Sequence, residues 1–163
     1  MSLEFELKEE DKVTNVVFRG EIDIDVDQTI TQIASLCKTK RIRFDCRGFS
    51  RINSVGIMVW LKALEAFKDK TYSFHNCSEQ FVDVAVMIPL FPGTGWIESL
   101  IVRYQCSGCG HVEMKTINIK SGQLPNVDEE GTCPKCTESM ETDFDLTGNL
   151  ETLHERGSFS ARA

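Results

Sequence analysis

Cys106-Ser107-Gly108-Cys109-Gly110 and Cys133-Pro134-Lys135-Cys136 set four thiols in two C-x-x-C pairs. That spacing suits one tetrahedral Zn²⁺ held by Cys106, Cys109, Cys133 and Cys136, with Gly108 and Gly110 allowing the tight turns in which backbone amides point at sulfur. Four cysteines close the coordination sphere, so the ion would be structural and would leave no position for a catalytic water. The gap between the pairs slightly exceeds the common range for a zinc ribbon. Val112 to Ile119, read as a strand, and the polar loop Gly122 to Gly131 account for the excess. A module of this size buries little, and zinc binding worth on the order of 10 kcal/mol would take the place of a core. Disulfides or a redox dithiol are the other uses of such pairs. His111 adjoins the first pair, but the quartet is complete without it, and it is read as a solvent-facing polar residue.

A second stretch with chemistry in it is Ser50 to Lys68, which opens as a polar turn and continues with a helical pattern. Asn53 suits an N-cap, its side-chain oxygen accepting from a first-turn amide, and Ser54 then opens a helix. Free amides and the helix dipole favour negative charge there, so a phosphoryl group on Ser54 would be well received, although an ordinary capped helix explains the same residues. On a helical wheel Ser54, Met58, Lys62, Glu65 and Asp69 share one stripe, and Ile57, Trp60, Leu64 and Phe67 share the core-facing side. Met58, with Val55 and Leu61 at the margins, places a small apolar surface beside the one hydroxyl. Such a surface reads as a docking face.

The elements that must position these residues follow from periodicity. Glu4 to Leu7 and Thr14 to Ile24 read as strands around a polar hairpin turn, Glu9-Glu10-Asp11-Lys12. The alternating acids from Glu21 to Asp27 fail as a calcium loop, since Gln28 stands at the required glycine and Ala34 at the distal acid. They are read as capping a helix from Gln28 to Cys37 with Ile30, Ile33 and Leu36 inward. Arg41 to Cys46 and Tyr72 to Cys77 alternate as strands with one buried and one wetter face. Ser78 caps a helix to Met87 or Ile88, which Pro89 and Pro92 break, and Gly93-Thr94-Gly95 forms a loop too short to cradle phosphate. A last strand runs from Ile97 to Tyr104. The order describes an α/β domain with a small mixed β-sheet and helices mainly on one face, followed by a small β-rich cysteine module. Beyond Asp145 only a short helix, Asn149 to Glu155, and then a disordered tail are expected.

Composition narrows the function classes. The 163 residues suffice for one compact domain and a small appendage, and the seven cysteines, an odd number with no apolar leader before them, argue for reduced thiols or metal ligands. Cys37, Cys46 and Cys77 lack metal spacing and read as buried small hydrophobes. No stretch is apolar enough to span a membrane, and a cytoplasmic protein without membrane attachment is expected. The net charge of -7 opposes nucleic acid as a partner. Within the cysteine module itself, Arg103, Lys115, Lys120 and Lys135 face twice as many acids, so the usual nucleic-acid role of zinc ribbons is not expected.

Gly20-Glu21-Ile22-Asp23, Asn53-Ser54-Val55-Gly56-Ile57 and the element order from Val16 to Leu100 together resemble the STAS domain of bacterial anti-sigma-factor antagonists. The family's second motif is Asp-Ser-Ser/Thr-Gly-Leu, whose first serine is phosphorylated by a partner kinase that is itself an anti-sigma factor. Ser54 falls on that serine, Gly56 on the glycine, and Asp23 on an acid that lies near the phosphoacceptor. Asn53 replaces the family's acid and Val55 its second hydroxyl residue; an amide still caps the helix but cannot act as a base. The resemblance implies a STAS-like domain over residues 1–100; beyond it, the cysteine spacing gives a zinc ribbon over 101–145 and the sparse apolar residues a short helix and flexible tail over 146–163. The resemblance also implies a non-enzymatic signalling adaptor that meets a regulatory serine kinase of anti-sigma-factor type through Asp23, Asn53, Ser54, Val55, Gly56, Met58 and Leu61, with Ser54 the candidate phosphoacceptor. Two other readings compete: a constitutive scaffold, in which the ribbon stabilises a complex or homodimer, and a zinc-thiolate redox sensor. No nucleophile–base set suggests an enzyme.

Overall fold

The structure is a computed structural model that describes residues 2–161; Met1, Arg162 and Ala163, the last two part of the expected flexible tail, lie outside the described residues. Its first sheet has the strand order β1-β2-β3-β4-β5, from Glu4–Glu10 (β1), Val13–Ile22 (β2), Arg41–Ile52 (β3), Thr71–His75 (β4) and Trp96–Ile97 (β5). β1 and β2 are antiparallel, joined by a two-residue turn in which Asp11 (φ 48°) and Lys12 (φ 66°) are left-handed. Positive φ at both central residues matches the twist of a hairpin, so the strands run right up to the turn and the expected four-residue loop is shorter. The other neighbours are parallel and need crossovers. Those crossovers are α1 (Val26–Leu36), α2 (Ser54–Ala63, continued by a 3₁₀ turn over Leu64–Phe67) and α3 (Glu79–Met87).

One face of this sheet is aromatic. Phe18 stacks on Phe44 (5.3 Å between centroids) and on Phe49 (5.2 Å), and Phe49 stacks on Phe81 of α3. Trp60 of α2 is fully buried among them, its indole N–H donating to the Phe91 carbonyl at 2.9 Å. The helices therefore cover this face, as the alternation in β3 and β4 required. Asn15, Val17, Arg43 and Asp45 belong to the other, more open face.

Several elements differ from expectation. The acids before α1 do not cap it directly: Asp25 stands at the N-cap without a side-chain bond, and the Asp23 carboxylate instead accepts from the Asp25 amide at 2.9 Å. The helix thus begins at Val26, which is buried, while Leu36, read as inward, is exposed. Ser50 to Ile52, read as a turn, completes β3. In β4, Ser73 on the supposedly wetter face is fully buried. The strand expected from Ile97 to Tyr104 divides at Glu98: Trp96–Ile97 closes the first sheet, and Ser99–Cys106 (β6) opens a second.

The second sheet, of order β7-β6-β9-β8, adds Val112–Asn118 (β7), Glu130–Thr132 (β8) and Ser139–Glu141 (β9), all antiparallel. α4 (Leu146–Glu155) begins three residues before the expected helix because Asp145 caps it, accepting from the Gly148 amide at 3.1 Å. The chain after it is packed through Phe159, contrary to the expected disorder: Phe159 is buried, and the Ser158 carbonyl accepts from the Ile97 amide at 2.8 Å. Leu146, Leu150 and Leu153 of α4 turn inward. Buried residues of both sheets and of α4 form one continuous hydrophobic cluster.

Candidate functional site

The start of α2 is fixed from two sides. Asn53 caps the helix, its Oδ1 accepting from the Gly56 amide at 2.7 Å, and its own amide donates to the Ile22 carbonyl at 3.2 Å. Gly56 then lies so close to the end of β2 that a β-carbon there would sit well inside van der Waals contact of the Ile22 carbonyl and the Asp23 amide. This close approach brings Ile22-Asp23 against Asn53 to Gly56, so the two stretches singled out in the sequence are neighbours in space. Ser54 is exposed, and its hydroxyl has no hydrogen-bond partner among the described residues. Val55 is 52% and Met58 74% exposed, whereas Leu61 is half-buried and Gly56 buried. Ile24, 66% exposed and adjacent in the chain to Asp23, also contributes apolar surface here. Sequence reasoning missed Ile24 because the acids on either side of it dominated the reading of that segment.

The four sulfurs of Cys106, Cys109, Cys133 and Cys136 all lie within 4.8 Å of one another, a set that could hold a metal ion. Cys106 Sγ is 3.3 Å from Cys136 Sγ, and Cys109 Sγ 3.7 Å from Cys133 Sγ. Four thiolates around a tetrahedral ion with metal–sulfur bonds of about 2.3 Å would stand about 3.8 Å apart, so the quartet has the dimensions of such a site. Both knuckles are built alike. The Gly108 and Cys109 amides donate to Cys106 Sγ at 3.3 and 3.4 Å, and the Lys135 amide donates to Cys133 Sγ at 3.4 Å. Each turn is completed by a left-handed residue one position past its second cysteine, Gly110 (φ 75°) and Thr137 (φ 67°). Gly108 has no such conformation; a side chain there would press on that of Glu138, which would have to shift.

Those amides act on the thiols. The hydrogen bond from the Cys109 amide, with the neighbouring thiols and the Gly108 amide adding to it against burial, lowers Cys106 to about 6. Cys136 is favoured as a thiolate by the Glu138 backbone, yet sharing protons with Cys106, together with burial and the other two thiols, pushes it up to about 12. Four thiolates this close repel one another, and a divalent cation relieves the repulsion. His111 is half-buried, 3.6 Å from Glu113, and outside the quartet. Cys37, Cys46 and Cys77 are buried in the core, and burial pushes the Cys37 and Cys46 thiols up.

A polar cluster that the sequence did not reveal spans the junction of the sheets. Glu98 Oε2 is 2.6 Å from His75 Nε2 and 3.8 Å from Arg43, with Arg41 3.8 Å from its other oxygen. The hydrogen bond to His75, then the charge of His75, the Ser73 hydroxyl and Arg43, hold the Glu98 carboxyl below the usual carboxylate range despite burial. The only trace in the sequence is an acid interrupting an apolar run, Trp96-Ile97-Glu98-Ser99-Leu100. Ser73 Oγ lies 3.3 Å from the same His75 nitrogen that meets Glu98. A nucleophile relay needs serine and acid on opposite ring nitrogens, so this arrangement is a structural joint.

Among the described residues no helix is long and apolar enough to cross a membrane. No protein-family model matches the chain, and no curated protein matches it. Solved structures similar to it include an anti-sigma factor antagonist from Mycobacterium paratuberculosis, 17% identical with a TM-score of 0.46 over 59% of this chain and 85% of that one. A second is the anti-sigma factor antagonist SpoIIAA in its unphosphorylated form, 16% identical with a TM-score of 0.43 over 58% of this chain and 87% of that one.

Proposed function

We propose that the chain is a non-enzymatic regulatory adaptor that docks a protein partner of the regulatory serine-kinase, anti-sigma-factor type through the start of α2, with Ser54 as the residue that partner phosphorylates. The observation that carries the reading is the exposed pair Val55 and Met58 beside the unengaged Ser54 hydroxyl, on a helix start anchored to Asp23 by the buried Gly56. The motif resemblance at Asn53 to Ile57 supports it. A phosphoryl group would add about -1.5 to -2 charges to a partly apolar surface that already has Asp23 beside it, which disfavours a partner that desolvates Met58. Residues 1–100 act as the docking unit, while one structural Zn²⁺, held by Cys106, Cys109, Cys133 and Cys136, organises residues 101–145. The ion neutralises the mutual repulsion of the thiolates and takes no part in a reaction.

Partners co-purified with wild type, Ser54→Ala and Ser54→Asp, together with phosphopeptide mass spectrometry of Ser54, test this function. A partner retained by Ser54→Ala and lost by Ser54→Asp, with phosphate on Ser54 of the wild type, is expected. A second reading, a constitutive platform, is favoured by Asn53, whose side-chain oxygen is spent on the cap and which cannot serve as a base. It predicts an unmodified Ser54 and a partner set indifferent to both substitutions, and that result would retire the switch.

A further inference from the structure

The two sheets leave a cleft of about 260 Å³ between the end of β3, the start of α3 and the β6–β7 hairpin. Its lining contains three large apolar side chains, Phe49, Ile101 and Met114. Phe49 and Ile101 are nearly buried, while Met114, from the second sheet, is 61% exposed. Two arginines, Arg47 and Arg103, line the cleft together with the neutral polar residues Asn76, Ser78 and Gln80. The Arg47 side chain has no partner among the described residues, and that of Arg103 donates only to the neutral Gln105 at 3.1 Å. One acid is present, Glu79, and its Oε1 is engaged by the Arg103 backbone amide at 2.7 Å. The cleft is therefore apolar in lining and carries one surplus positive charge, in a chain whose net charge is -7.

From this combination we infer that the cleft binds a small monocarboxylate with a branched or aromatic apolar body. The volume lies just under the usual range of roughly 300–1,000 Å³ for drug-sized ligands, which restricts the occupant to a small molecule. A planar carboxylate matches a guanidinium in two parallel hydrogen bonds, and a single negative charge balances the surplus; a phosphate dianion would be under-neutralised. The apolar body would rest on Phe49, Ile101 and Met114, and so touch both sheets at once. This site is separate from the α2 surface and does not depend on the function proposed for it.

Phenylacetate serves as the probe, with its neutral isostere phenylacetamide as the control, in a methyl-NMR titration of the full zinc-loaded chain. Saturable shifts of the Ile101 and Met114 methyl signals are expected, with a Kd of about millimolar to micromolar for a ligand of this size. Phenylacetamide and the Arg47→Ala variant should each weaken binding by about tenfold or more, because both remove a charge-assisted hydrogen bond. Met114→Trp, at an exposed position that leaves the core alone, should obstruct the cleft and abolish the shifts. Absence of saturation in the wild type, equal binding of acid and amide, indifference to Arg47→Ala, or equally strong competition by inorganic phosphate would each overturn the inference.

Discussion

Two glycines carry the site for different physical reasons, and one substitution separates them. Gly110 is left-handed with open space where a β-carbon would stand, so Gly110→Ala meets only the conformational penalty and should cost about 1 kcal/mol. Gly56 has no positive φ, but a β-carbon there would collide with the backbone of Ile22 and Asp23. Gly56→Ala must move α2 away from β2 and should cost about 2–3 kcal/mol, displacing Ser54 from Asp23 as it does so. Urea unfolding of both variants checks this, and equal costs would mean that α2 is not held by close packing. Asn53→Ala, which removes the cap without touching that packing, should cost about 1 kcal/mol in the same assay.

The elements were legible where the period was clean and obscured where the backbone changes step. Ile42, Phe44 and Cys46 alternate inward, and that much of β3 was read correctly. The register against β2 then slips between Val17 and Arg19 and again between Gly20 and Glu21, so the inward positions become Phe49 and then Ile52. A bulge adds a residue and reverses the parity, which made Ser50 to Ile52 look like a turn. Gly48 permits the first slip, since a side chain there would strike the Phe18 carbonyl. The start of α2 needed no such help, because an asparagine cap is a local signal. Likewise the cysteine pairs were visible at once, whereas the Glu98 joint depends on contacts between β4 and the β5–β6 link that no local pattern encodes. That joint has a pH signature. Glu98 ionises more readily in the folded chain, so its contribution is present above the ordinary carboxylate value of about 4.5 and is lost as pH falls through the lower folded value. Wild type should therefore exceed Glu98→Gln in stability at neutral pH by a margin that narrows below about pH 4.5. Chemical denaturation of the two proteins across that range measures the margin, and a constant difference would exclude an ionic role for Glu98.

At the scale of the molecule, the cysteine quartet and the α2 surface belong to one mechanical unit. Val102, Tyr104 and Met140 of the second sheet, Leu150 of α4 and Phe159 join the same hydrophobic cluster as Phe18 and Trp60. The sheets are also tied by backbone, the Glu98 amide donating to Phe74 and its carbonyl accepting from Ile119, both at 2.9 Å. A ribbon that merely followed a linker would lose its own structure on metal removal and leave the first sheet unchanged. Here the second sheet supplies part of the common core, so removal should be felt at Trp60 even though the quartet lies on other elements. Zinc held by four thiolates is worth on the order of 10 kcal/mol, comparable to the whole stability of a typical domain. Chelator-treated protein and Cys109→Ser should therefore unfold at lower temperature in a single transition, with tryptophan fluorescence and far-ultraviolet circular dichroism changing together. Metal analysis before and after treatment ties the shift to the ion. If fluorescence kept its original midpoint while only part of the dichroism melted early, the two sheets would be independent folding units and the shared cluster would be contact without cooperativity.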